Sequence, residues 1–211
     1  ILINVSGALM RYLLDTQKNN LSHISSVKKY STDKYMFLDI SSRRNLELTE
    51  TIREKSKKGS LLWVLDKTKT PMGARLIRKW IEQPLINREE IEKRLLAVEY
   101  IKNNPLDKID IIDCLSKIKD IERLIGKISY QTANARDLIA LKNSFKNLPE
   151  IKNILSKSNS PLLKHIYTNF DILEDLYIMI DESIQEEPPF SIREGDMIKD
   201  GFNEQIDTFR Q

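Results

Sequence analysis

Leu61-Leu62-Trp63-Val64-Leu65-Asp66-Lys67-Thr68-Lys69-Thr70-Pro71-Met72-Gly73-Ala74-Arg75-Leu76-Ile77-Arg78-Lys79-Trp80-Ile81-Glu82-Gln83-Pro84-Leu85 carries a helix with both of its ends written into the sequence. The Thr70 hydroxyl can accept an early backbone N–H, and a proline at the first helical position lacks only a donor that a helix start leaves unpaired anyway. The spacing predicts a helix from Pro71 to about Gln83, stopped by Pro84.

The same punctuation recurs towards the C-terminus. Asn87 followed by Glu90 is a capping-box-like start, and Ile91, Leu95, Val98 and Ile101 form the expected buried stripe of the helix behind it. Leu115, Ile118, Ile121, Leu124 and Ile128 predict a further helix. Leu138, Leu141, Phe145 and Leu148 predict another, capped by Asn134 with Asp137 in its first turn. Ser160-Pro161 opens a long helix to about Glu187, with Leu162, Ile166, Phe170, Leu173, Leu176, Ile180 and Ile184 at helical spacing. At 1.5 Å per residue, its roughly 27 residues would reach about 40 Å. Pro188-Pro189 ends it. Phe190 to Phe202 alternates around Gly195-Asp196 as a small hairpin would, and Asn203 caps a last helix with Ile206 and Phe209 on one face.

Towards the N-terminus, Leu2, Val5, Leu9, Tyr12 and Leu13 predict an opening helix over residues 2–17, ended by the polar stretch Lys18 to Ser26. Tyr35 to Leu38 is an apolar run short enough for a strand. Asp39 then caps a helix carrying Leu46, Leu48 and Ile52, and Glu54 to Ser60 reads as an exposed, mobile loop. The expected class is all-α, with extended structure confined to Tyr35–Leu38 and Phe190–Phe202, two pieces able to pair with each other. We divide it into a helical core over residues 1–160 and, within the same structural domain, a lever helix, hairpin and start of an onward helix over residues 161–211.

Composition agrees. Hydrophobic residues make up 40% of the chain and charged residues 31%, with only six glycines and seven prolines among 211 residues, which favours helices in one or two soluble domains. Every apolar run is broken by charge well before the roughly 18 to 20 residues of a membrane span. The chain opens on Ile1 with no secretory-signal pattern, and reads as a piece of a longer one. Cys114 lies among Ile111, Ile112 and Leu115 and is expected as a core thiol. His23 and His165 stand far apart, so no zinc site is expected. Net charge is +3, but residues 1–94 hold 19 Lys and Arg against 11 Asp and Glu (+8), and residues 95–211 hold 15 against 20 (−5). Only the first half suits a polyanion or an acidic partner.

Motifs for chemistry are missing: no glycine-rich phosphate cradle, nucleophile elbow, His-Glu-x-x-His or cysteine pair occurs. No catalytic, cofactor-binding or metal residue is assigned. Glu89-Glu90 and Glu186-Glu187 suit a helix first turn and a solvated helix end. Arg43, Arg44, Arg75, Arg78 and Lys79 are the candidates for interdomain or phosphate contacts. The competing reading, ion pairs with Glu47 and Glu82 along a solvated helix face, is the stronger because no aromatic stacking platform accompanies the charges. Trp63 and Trp80 sit in apolar stretches and are expected in the core.

The stretch quoted first, together with Tyr-Met-Phe-Leu-Asp-Ile-Ser-Ser-Arg-Arg-Asn-Leu-Glu-Leu-Thr (35–49), closely resembles the core domain of the bacterial MutS mismatch-repair family. Gly-Ala-Leu-Met-Arg-Tyr-Leu-Leu-Asp-Thr-Gln (7–17), Asp120 to Leu124 and Asp200 to Asp207 match in the right order, so the resemblance covers essentially the whole chain. It implies domain III, the core and lever segment that links the ATPase to the DNA clamp, with clamp and ATPase outside this sequence. ATP and Mg would then belong to the full-length protein, as would mismatched double-stranded DNA, a second MutS subunit and MutL as partners. The location implied is cytoplasmic and nucleoid-associated, with no membrane. On this reading the residues alone are not an enzyme, and their DNA binding is weak and indifferent to mismatches. Apolar side chains such as Ile172, Met179, Ile184, Ile206 and Phe209 would be left solvated or covered by another molecule. The alternatives that composition permits are a general helical interaction scaffold and a weak non-specific DNA-binding module.

Overall fold

In a computed structural model, residues 2–17, 24, 26 and 34–210 are described. The chain forms two compact units, Ile1–Lys34 and Tyr35–Gln211. The first contains α1 (Leu2–Gln17), the expected opening helix, whose Ile3, Val5, Leu9 and Tyr12 are exposed. His23 and most of the polar stretch after α1 lie outside the described residues.

The second unit is all-α. Its helices are α2 (Ile40–Asn45), α3 (Leu61–Leu65), α4 (Pro71–Glu82), α5 (Arg88–Asn103), α6 (Pro105–Lys117) and α7 (Ile121–Ser129). They are followed by α8 (Ala135–Phe145), α9 (Leu148–Ser156), α10 (Pro161–Asn169), α11 (Glu174–Ser183) and α12 (Glu204–Arg210). The caps fall where side-chain chemistry puts them. Asp39 accepts from Ser42 N, Thr70 from Gly73 N and Asn87 from Glu90 N, while Asn134 and Asp137 form a reciprocal capping box. Asn203 accepts from the backbone of Gln205 and Ile206.

Four expectations are corrected. The helix after Asp39 stops at Asn45 instead of continuing through Ile52. Glu47 turns left-handed (φ 47°), and the N–H groups of Glu47 and Leu48 close back on the carbonyls of Arg44 and Arg43. The apolar series from Leu115 to Ile128 spans two helices, because Ile118 is extended and Asp120 caps a new start. The long helix over 161–187 is also two. Phe170 is extended, Asp171 accepts the Leu173 N–H at 2.9 Å, and Leu173 lies in the left-handed region (φ 54°). Finally, the two extended pieces do not pair with each other. Tyr35 bridges Leu85, and Ile184 bridges Ile198 across the Pro188-Pro189 turn, so the partner of Ile198 lies before Phe190 and not within the proposed hairpin.

A single apolar cluster joins α5 to α10: Ala97, Cys114, Ile118, Leu124, Leu141, Phe145, Leu148, Ile151, Leu155 and Leu163. α8 packs on α7, α9 and α11, while α10 packs on α5 and α9. The stripe expected to be buried on α5 is misassigned. Ile91, Leu95 and Val98 face outward, Leu95 at 60% exposure, and Ala97, Tyr100 and Ile101 make the inner face. α5 is apolar on two sides, so periodicity alone marks both. Met179 is exposed as expected, while Ile172 is half-buried against the core and Ile184 is half-buried at its bridge. Ile206 is half-buried and Phe209 is 91% exposed.

Candidate functional site

The five candidate cations divide between two helices and separate bonding networks. On α2, the half-buried Arg43 donates from Nε to the Leu38 carbonyl at 3.0 Å, tying the helix to the extended segment before it. That segment is anchored in turn by the Met36 N–H on the Pro84 carbonyl at 2.8 Å, beside the end of α4. Arg44 is exposed and makes no ion pair among the described residues. Glu47 is not the helix-face partner expected for these arginines, because its Oε1 accepts the Ile52 N–H at 2.8 Å.

On α4, Arg75 is the most heavily engaged. Its Nη1 and Nη2 donate to the two oxygens of Asp120 at 3.0 and 2.8 Å, and its Nε and Nη2 donate to Glu122 Oε2 at 2.9 and 2.6 Å. The forked guanidinium thereby joins α4 to the first turn of α7. Asp120 also accepts the Arg123 N–H at 3.3 Å, so one carboxylate both caps α7 and receives α4. The Arg75 guanidinium pulls the Asp120 carboxyl below its ordinary range. Asp120 first and Glu122 second make Arg75 harder to deprotonate. Arg78 pairs with Glu82 at 2.9 Å, as the i,i+4 spacing predicts. Lys79 is exposed, with no ion pair among the described residues.

Sequence reasoning missed three features here. Asp120 and Glu122 are recognisable as a helix cap and first-turn acid, but nothing local pairs them with a cation 45 and 47 positions away. Trp80 is not core: it is partly exposed, with the Arg94 guanidinium 3.7 Å from its ring centroid. Trp63, also expected inside, is 47% exposed and lines an open cleft of about 660 Å³ with Ile52, Arg53, Lys58 and Gly59. One wall of that cleft is bonded into place. The Thr51 N–H reaches the Ser56 carbonyl, the Ser60 N–H reaches Lys57, and Leu61 and Leu62 donate to Glu47 and Leu48. Lys57 pairs with Asp66, and this contact with the Thr68 bonds lowers the Asp66 carboxyl to about 2.

Elsewhere, Cys114 is buried as expected, and burial, reinforced by Glu150, pushes its thiol up to about 11. His165 lies beside Asn169 on α10. Among the described residues no group of His, Cys, Asp or Glu is placed to hold a metal ion, and no helix is long and apolar enough to cross a membrane.

A family model described as MutS domain III matches residues 41–211, from within α2 to the end of the chain. The chain belongs to the MutS domain III family. It is similar along 99% of its length to the DNA mismatch repair protein MutS of Lachnoclostridium phytofermentans, with 54% identity, and covers 22% of that relative. It is 56% identical to the protein of the same description from Clostridium novyi over the whole chain, 23% of that relative, and 52% identical to that of Clostridium tetani, 24% of it. The MutS domain III chain thus spans about a quarter or less of the length of the curated relatives it matches. Within it, the Arg75–Asp120–Glu122 junction and the cleft beside α3 fall inside the matched range, whereas Leu38 and Met36, which tie α2 to the end of α4, precede it.

Proposed function

We propose that the chain is the core segment of a MutS-type mismatch-repair protein, acting as a relay between the ATPase and the DNA clamp, with no chemistry of its own. The single observation that carries this reading is the continuous apolar cluster from α5 to α10, onto which later elements are fastened by long-range polar ties. A well-packed core has low compressibility and moves as a body. α11 is fixed to it through Lys142 and Asp181, 2.9 Å apart across the α8–α11 contact, with the lysine side chain only 8% exposed. Lys199 Nζ donates to the Asp181 carbonyl oxygen, and Arg136 Nε donates to the Pro188 carbonyl. Displacement of the core is therefore passed to residues 181–199.

On this reading mismatched duplex DNA, ATP with Mg, a second MutS subunit and MutL belong to the whole protein, and its nucleoid association follows from DNA binding. The lever is the α10–α11 pair, bent at residues 170–173, in place of one straight helix. The test is the Asp181→Asn exchange in a full-length MutS protein containing this segment. Binding of mismatched duplex without nucleotide should stay within about threefold, while ATP-driven release from it slows by about tenfold, a coupling loss of ordinary allosteric size. Unchanged ATP-driven release would remove the relay role from this junction.

A further inference from the structure

The polar ties beyond α10 run in order from the core outwards. α8 holds the near end: Lys142 pairs with Asp181, and Arg136 donates to the Pro188 carbonyl with its guanidinium 5.4 Å from the Phe190 ring centroid. Residues 183–199 then close into a ribbon around the Ile184–Ile198 bridge. The Gln185 N–H reaches the Met197 carbonyl and the Lys199 N–H reaches the Ser183 carbonyl, both at 2.9 Å. The chain turns out of the ribbon at Gly201, whose left-handed backbone (φ 82°) suits a residue without a side chain.

α12, which follows, has no comparable anchorage in the apolar core. It buries no side chain, and Phe209 stands exposed on it. Polar groups join it to the ribbon instead. Arg210 donates from Nη1 to Asp200 Oδ1 and from Nη2 to the Ile198 carbonyl at 2.9 Å, and Asp196 Oδ1 lies 3.4 Å from Nη2. Three residues earlier on the same helix face, Asp207 Oδ2 accepts the Gly201 N–H at 3.0 Å. Ile198 is itself the bridge residue, so Arg210 reaches the point where the two limbs of the ribbon meet.

We infer that Arg210 is a positioning residue, through which the ribbon sets the direction in which α12 leaves the core. The inference takes from the relay reading only that displacement of the ribbon is passed on to α12. A helix held by one hydrogen bond can pivot about it, whereas a planar guanidinium with three acceptors, backed by the Asp207 tie one turn away, selects one orientation. Asp196 and Asp200 are largely solvated, so the tie contributes little to stability while still choosing among directions. Lysine would keep the charge and lose the fork.

Electron–electron double resonance in a full-length MutS protein containing this segment tests the tie. Spin labels go on Asn153→Cys in α9 and Phe209→Cys in α12, both exposed positions, with exposed cysteines elsewhere replaced by serine and labelled protein diluted in excess unlabelled protein. Cys114 is buried and stays unlabelled. Arg210→Ala and Arg210→Lys should each broaden the distance distribution at least about twofold, because neither keeps the fork. The melting temperature should stay within about 2 °C of the parent. A distribution unchanged in Arg210→Ala, or kept in full by Arg210→Lys, overturns the proposal. So does a larger fall in melting temperature, which would make Arg210 a stabilising residue and not a positioning one. ATP-driven release from mismatched duplex separates this result from the relay reading. A broadened distance with release unchanged, in Arg210→Ala and Asp181→Asn alike, keeps the tie and removes the relay. Slowed release in Asp181→Asn with an unchanged distance in Arg210→Ala keeps the relay and removes the tie.

Discussion

Residues 97–163 and residues 35–96 are both largely helical, yet different forces hold them. The later region buries Cys114, Ile118, Leu141, Phe145, Ile151, Leu155 and their neighbours in one cluster. The earlier one buries Leu48, Leu62 and the hydroxyl of Ser60, and leaves Phe37, Ile40, Leu46, Val64 and Leu95 at the surface. Its order comes from polar devices: the Asp39 and Thr70 caps, the Lys57–Asp66 pair and the Arg75 fork. A helix cap in a sequence thus marks where a helix starts without fixing how much that helix contributes to stability.

The largest test of this contrast pairs two leucine truncations. Leu141→Ala empties a fully packed position and should cost about 2 to 5 kcal/mol in urea unfolding, while Leu65→Ala on α3 should cost about 0.5 kcal/mol or less. Comparable losses at both would show that the two regions are held alike. An intermediate effect is expected for Arg75→Ala. It should lower the melting temperature less than Leu141→Ala does, and the difference from the parent chain should shrink as salt is added, since the paired groups are partly solvated. A loss independent of salt would mean that the arginine acts through packing of its stem.

The smallest effect is a pH dependence confined to the earlier region. Asp66 has its carboxyl lowered to about 2 from 3.8, so its contribution is complete above about pH 4 and is lost as pH falls through about 2. Trp63 emission, followed in a Trp80→Phe background, should report the change. Lys57→Met should move the transition up towards the ordinary carboxylate range, and a transition unmoved by that exchange would separate Asp66 from its partner.

The sequence made these helix starts legible because a cap is a local bond: Asp39, Thr70, Asn87, Asn134 and Asn203 each act within three residues of themselves. Breaks were hidden where apolar spacing runs through a corner, as at Ile118 to Ile121 and Phe170 to Leu173, because side-chain periodicity says nothing about the backbone angle of one residue. Trp63 and Trp80 were assigned to the core because size and hydrophobicity show what a side chain favours, and not whether a partner reaches it. The five candidate cations were visible as charges, but the fork from Arg75 to Asp120 spans 45 positions and needs the tertiary fold to appear.

Leu173 joins two opposed demands at the bend between α10 and α11. Its left-handed backbone is disfavoured for an L-residue with a side chain, by about 1 to 2 kcal/mol, and glycine would adopt it freely. Its side chain nevertheless packs against the core, and that burial offsets the torsional cost. The stiffness of the joint is therefore set by solvent: straightening it towards a continuous helix relaxes the dihedral angle only by drawing a leucine into water. A joint of that construction resists bending most strongly where the hydrophobic effect is strong and softens on cooling, the reverse of an ordinary mechanical spring.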